Sequence, residues 1–165
     1  MKTMILLSAI PGSGKSTWAK RYQAEHPNTY IVASDEVRAR VSGHVQNFEH
    51  EDLVWVTFLE ELHHYGKIED VTVIADATNL QNKYRRYYLE QTPEYDIHKL
   101  VLFHIPFEIC KFQNKLRTDE RVVSDEAMEK LNAEFEEPTP EIIDLYDEYL
   151  VIGKSYISEE AKNAK

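Results

Sequence analysis

The sequence predicts an α/β fold in which helices cover both faces of a parallel sheet. Three observations carry this. Short apolar runs alternate with longer segments of helical period, the pattern of βαβ units. A turn, Pro11-Gly12-Ser13-Gly14-Lys15-Ser16-Thr17, follows the first apolar run and opens the first helical segment. The chain has 165 residues, the length of one ordinary domain, with 42% hydrophobic and 29% charged residues, a composition of globular proteins.

Taken in order, strands are expected over Thr3–Ala9, Thr29–Ala33, Val71–Ala75, Lys99–Ile105 and Glu148–Ile152. Each is a short apolar run, as strands buried on both faces require. Between the second and third, residues 49–65 read as a helix with Leu53, Val56, Leu59, Leu62 and Tyr65 on its buried side. Gly43 and Gly66 stand where helices should stop. Neither a repeat nor a low-complexity tract interrupts the chain, so a single domain is expected over residues 1–153, followed by a tail, residues 154–165.

The turn after the first strand has the residues of a phosphate-binding loop in the context such a loop requires. Gly12 and Gly14 let backbone N–H groups point inward around phosphate oxygens, and the following helix adds the positive end of its dipole. Ser13 lies between them. Lys15 would reach the β and γ phosphates, the Ser16 hydroxyl suits Mg²⁺, and Thr17 would donate to the α phosphate. Ala9 holds the first position of the motif, where glycine is usual; that matters only if the site needs positive φ.

Past the second strand, Ser34 is the expected helix N-cap, and Asp35 and Arg38 would share one side of that helix. In a phosphotransferase the carboxylate takes the proton of an attacking hydroxyl and the guanidinium holds a neighbouring phosphate. The alternative is ordinary: an aspartate in the first turn complements the helix dipole. The third strand leads into Asp76-Ala77-Thr78-Asn79. Asp76 suits the Mg²⁺ water shell or the acceptor, while Thr78 and Asn79 either bond the acceptor or cap the local turn.

Downstream, Lys83-Tyr84-Arg85-Arg86-Tyr87-Tyr88 interleaves cations and aromatics. It either grips a single strand by charge and stacking or forms an ordinary amphipathic helix. After the fourth strand, a helix carrying Asn114, Arg117 and, if the helix continues, Arg121 would close its two arginines over the nucleotide as a lid, or present a solvated basic face. His63 and His64, next to Glu60 and Glu61, read as a solvated helix end.

Charge and cysteine content narrow the function classes. The formal net charge of −10 argues against a long nucleic-acid footprint, but it is unevenly spread: residues 1–118 hold 14 basic and 15 acidic side chains, residues 119–165 hold 5 and 14. The densest stretch, Glu134 to Glu148, carries seven carboxylates and reads as a solvated helix face or turn. Cys110 is the only cysteine, so an intrachain disulfide and a multi-cysteine zinc cluster are excluded, in keeping with a cytoplasmic setting. The apolar run Met4–Leu7 is too short for a secretory h-region, and nothing approaches the roughly 20 apolar residues of a membrane span. No feature specifies an oligomeric state.

With these residues in view, the sequence resembles the kinase domain of bacteriophage-type 5′-polynucleotide kinases, within the group of P-loop kinases related to zeta toxins. The resemblance is carried by residues 11–19, Asp35 with Arg38, residues 76–80, and Asn114 with Arg117, in matching order over residues 1–152. It implies a P-loop NTPase fold of kinase type, with a five-stranded parallel sheet and a helical lid. It also implies Mg²⁺-dependent transfer of the ATP γ-phosphate to a 5′-hydroxyl of DNA or RNA, with short-range contacts to the nucleic acid. Lys15, Asp35 and Arg117 would be catalytic. Gly12 to Thr17, Arg117 and Arg121 would hold the nucleotide. Arg38, Asp76, Thr78 and Asn79 would hold the acceptor, and Ser16 and Asp76 the metal. Two departures are Ala9 in place of the family's glycine and Gln113 where a further lid arginine often stands. No Asp-x-Asp-x-Thr motif occurs, so 3′-phosphatase activity is not expected. The rival readings are a small-molecule or nucleotide-sugar kinase on the same scaffold and a nucleotide-binding module without transfer.

Overall fold

A computed structural model describes residues 1–117 and 121–153. Five parallel strands run in the order β2-β3-β1-β4-β5. They are β1 (Thr3–Ser8), β2 (Thr29–Ala33), β3 (Thr72–Asp76), β4 (Ile97–Phe103) and β5 (Glu148–Ile152). All five expected strands form; β3 starts and ends one residue later than expected, and β4 two residues earlier. The predicted tail, residues 154–165, lies outside the described residues.

Seven helices join them among the described residues: α1 (Lys15–Glu25), α2 (Ser34–Ser42), α3 (Glu51–Tyr65), α4 (Asn82–Gln91), α5 (Phe107–Lys115), α6 (Asp125–Glu134) and α7 (Pro140–Leu145). The central strand β1 alternates strictly. Ile5 and Leu7 join Trp18, Ala19, Ile109 and Met128 on one face of the sheet. Met4 and Leu6 join Val37, Val54, Phe58, Leu62 and Tyr88 on the other. Two-sided burial is why the strands read as unbroken apolar runs.

Two sequence expectations are corrected. Helix α3 buries Val54, Phe58 and Leu62, while Leu53 and Val56 are exposed. The face that meets the sheet is therefore an i, i+4 row, not the 53-56-59 row. Ser34 is the first residue of α2 and the extended Ala33 is its cap, with no side-chain capping bond. Gly43 closes α2 in the left-handed region as expected, at φ 89°.

The acidic stretch before β5 is solvated surface, as expected, and it is also tied down. Glu136 accepts from the Asn82 backbone N–H at 3.0 Å and Asp147 from that of His98 at 2.9 Å. Glu137 pairs with His104, Glu141 with Arg86 and Glu148 with Lys99. These carboxylates pin the chain after α6 onto α4 and β4.

Candidate active site

Parallel strands deliver their C-terminal ends to one rim of the sheet, where α/β proteins bind ligands. The loop after β1, the start of α2 after β2, and residues 76–79 after β3 all meet there. They line a cleft of about 730 Å³ with Lys15, Ser16, Asp35, Arg38, Asp76, Thr78, Arg117 and Arg121 on its walls. Thr17 is exposed in the first turn of α1 and does not line it.

The loop has the geometry of an anion cradle. Gly12 and Gly14 lie at φ 81° and 91°, where side chains are strained. A Cβ on Gly12 would also come within 2.1 Å of the Cys110 carbonyl oxygen, because the backbone of α5 packs directly on the loop. Gln113 donates to the Gly12 carbonyl at 2.7 Å, so the residue standing in the place of a lid arginine braces the cradle. Ala9 is buried and does not have positive φ, which explains why alanine serves at that position.

Beside the cradle, Ser16 Oγ donates to Asp76 Oδ2 at 2.9 Å. A hydroxyl and a carboxylate side by side are hard oxygen donors. Among the described residues no group of three or more His, Cys, Asp or Glu side chains forms a metal cage. This donor set fits Mg²⁺ shared with phosphate oxygens and water, the usual mode for that ion. Burial pushes the Cys110 thiol up to about 12, against the nearby positive charge of Lys15, so this sulfur is inert next to the cradle.

Opposite the cradle, Arg38 Nη1 donates to Asp35 Oδ1 at 3.1 Å. The Arg38 side chain is only 6% exposed, whereas that of Asp35 is 49% exposed and open to a ligand. Arg38 is also gripped by residues that sequence reasoning missed. Nε and Nη2 donate to the two oxygens of Glu51 at 2.9 and 2.8 Å, and the guanidinium lies 4.7 Å from the Phe48 ring centroid and 5.9 Å from that of Trp55. Glu51 opens α3, where an acidic residue reads equally as a dipole partner, so nothing in the local sequence marks it.

Other predicted groups land differently. Asn79 is buried at φ 44°, a left-handed conformation that asparagine tolerates, and its Nδ2 donates to the Leu7 carbonyl at 2.8 Å. Its side chain thus ties the turn to β1 and does not face the cleft. Helix α5 stops at Lys115, so Arg117 and Arg121 do not share a helix face. Buried Asn114, in the last turn of α5, bonds the Val123 main chain twice, at 2.6 and 3.0 Å. Arg117 Nη1 donates to the Arg121 carbonyl at 3.0 Å, and both arginines reach the cleft wall.

The Lys83–Tyr88 cluster divides between core and surface. Arg85 is wholly buried, donating to Ser8 Oγ at 3.0 Å, the carbonyls of Asn79 and Leu80 at 3.2 and 3.1 Å, and Asn82 Oδ1 at 2.9 Å. Burial lowers its pKa from the usual arginine value. Tyr88 is core and Arg86 pairs with Glu141. The segment is therefore an amphipathic helix whose buried arginine locks the turn behind the cleft.

The fold agrees with known proteins. Residues 4–138 match the family model AAA_33, described as AAA domain, and the chain belongs to that family. A chain of the Pnkp1/Rnl/Hen1 RNA repair complex superposes with a TM-score of 0.71 at 21% identity, covering 81% of this chain and 43% of that one. A gluconokinase from Sinorhizobium meliloti 1021 gives 0.62 at 15% identity over 98% and 86% of the two chains. A shikimate kinase from Acinetobacter baumannii in complex with shikimate gives 0.61 at 16% over 98% and 89%. At these identities the likeness speaks to the fold: an α/β P-loop kinase fold with a five-stranded parallel sheet.

Proposed function

We propose that the protein is a polynucleotide 5′-hydroxyl kinase that moves the γ-phosphate of ATP to the 5′-OH of a DNA or RNA end. The observation that carries this reading is the Asp35–Arg38 pair, 3.1 Å apart and facing the same cleft as Lys15, Ser16 and Asp76. The RNA repair complex among the fold's relatives points the same way.

In this reading Asp35 accepts the proton of the 5′-hydroxyl as its oxygen bonds to the γ-phosphorus, and the bond to the β-phosphate oxygen breaks, leaving ADP. Lys15 and the loop N–H groups hold the β and γ phosphates, and Arg117 offsets charge on the transferring group. Ser16 and Asp76 would hold Mg²⁺, which supplies charge neutralisation between the phosphates. Arg38 holds the phosphate next to the attacked hydroxyl. Catalysis of this kind is mostly positional and electrostatic.

The test is transfer of label from γ-labelled ATP to a 5′-hydroxyl oligonucleotide with Mg²⁺. Labelled oligonucleotide whose KM rises steeply with salt supports the reading. No transfer to DNA or RNA ends across Mg²⁺ and salt concentrations overturns it. One observation favours the small-molecule alternative: Arg38 already faces two carboxylates, Asp35 and Glu51, so the acceptor side is not a bare cationic patch. Salt-independent transfer to a neutral small alcohol would select that reading.

A further inference from the structure

Arg38 is the cation of the acceptor side, yet its Nε/Nη2 edge is already occupied by a two-oxygen anion. The parallel bonds to Glu51, 2.9 and 2.8 Å, have the fork-to-fork geometry that a guanidinium also offers phosphate. The two partners are held very differently. Arg38 is 6% exposed, fixed from below by Asp35 and flanked by the Phe48 and Trp55 rings, while the Glu51 side chain is 31% exposed at the start of α3. Glu51 can turn toward water; Arg38 stays.

We propose that Glu51 is a specificity-determining residue that stands in for the acceptor phosphate: it neutralises buried Arg38 in the empty site and is displaced when the phosphate adjoining the attacked 5′-hydroxyl binds. This rests on the polynucleotide reading above. Arg38 is buried between two carboxylates, Asp35 and Glu51, and Glu51 offsets charge on the guanidinium edge that Asp35 does not reach. It also sets a threshold, because only an anion with paired oxygens regains what displacing Glu51 loses. An acceptor without that phosphate leaves Glu51 in place and gains nothing from Arg38.

The experiment uses the full chain saturated with Mg-ADP, so that the loop is filled, and titrates it calorimetrically with a nucleoside 3′-monophosphate, the smallest piece carrying both a 5′-hydroxyl and the adjoining phosphate. Glu51→Gln keeps the shape and removes the charge, and should tighten binding about tenfold, the size of one hydrogen bond to a charged group. In the double variant with Arg38→Gln the gain should vanish. Glu51→Asp, charged but shorter, should fall between wild type and Glu51→Gln, which guards against misfolding of one variant. With ATP, KM for the monophosphate should fall in Glu51→Gln by a larger factor than KM for the bare nucleoside. Unchanged or weaker monophosphate binding in Glu51→Gln overturns the proposal and makes Glu51 a positioning residue for Arg38. Because the titration needs no turnover, wild type that transfers nothing to polynucleotide ends overturns the substrate reading separately.

Discussion

At the nucleotide end of the cleft recognition is built into the backbone, with Gly12 and Gly14 in left-handed conformations, α1 starting at Lys15 and α5 pressed against the loop. At the acceptor end it is built from side chains on two elements and the segment between them: Asp35 and Arg38 on α2, Phe48 before α3, and Glu51 and Trp55 on it. The first design tolerates little change and, in the proposed reading, serves one kind of group, the phosphate chain. The second is a network of exchangeable ion pairs and rings, and can be retuned for different acceptors without disturbing the first.

The sharpest division of labour to test is between Asp35 and Lys15. Asp35→Asn should lower kcat by roughly two to four orders of magnitude while ATP binding holds, since a general base acts on the acceptor. Lys15→Ala should cost roughly two to three orders of magnitude in transfer and weaken ATP binding as well. Titration with a fluorescent ATP analogue beside single-turnover transfer separates them, and equal weakening of nucleotide binding by both would break the comparison.

Next in size is the rigidity of the cradle. Gly12→Ala sets a Cβ 2.1 Å from the Cys110 carbonyl oxygen at a positive φ, so destabilisation of roughly 2–4 kcal/mol is expected. For a chain of this length that lowers Tm by roughly 5–15 °C. A thermal melt matching wild type would mean that α5 does not hold the loop. A similar melt tests Arg85→Leu, which removes the guanidinium's bonds to Ser8 Oγ, the Asn79 and Leu80 carbonyls and Asn82 Oδ1 and should cost roughly 1–3 kcal/mol.

The smallest effect concerns Cys110. Burial holds its thiol near 12, so the thiolate is negligible at pH 8 and a thiol reagent should label only unfolded protein. Because the shift is upward, native labelling should rise only as the pH approaches that value. Labelling of native protein at the rate of a free thiol would show the space under the loop to be open.

Legibility in the sequence tracks the same division. The cradle could be read directly because its residues are contiguous and backbone geometry at Gly12 and Gly14 follows from residue type. Strands were legible because two-sided burial demands unbroken apolar runs. The face of α3 was not: Leu53, Val54, Trp55, Val56, Phe58 and Leu59 are apolar nearly all round, so periodicity could not choose a side. A shared face for Arg117 and Arg121 depended on the helix continuing, and α5 stops at Lys115.

By itself, then, the sequence determined the α/β layering, the phosphate loop and the carboxylate at the end of β3, all of which depend on local pattern and on conformational limits of single residues. Tertiary structure alone decided that Glu51, Phe48 and Trp55 surround Arg38, that Gln113 braces the cradle, and that Arg85 and Asn79 serve the turn behind the cleft and not its ligand. The reason is physical. Hydrogen bonds and ring contacts between residues far apart in the chain depend on how α2, α3, α4 and α5 dock on the sheet, and side chains of the same type are interchangeable in sequence until that docking is made.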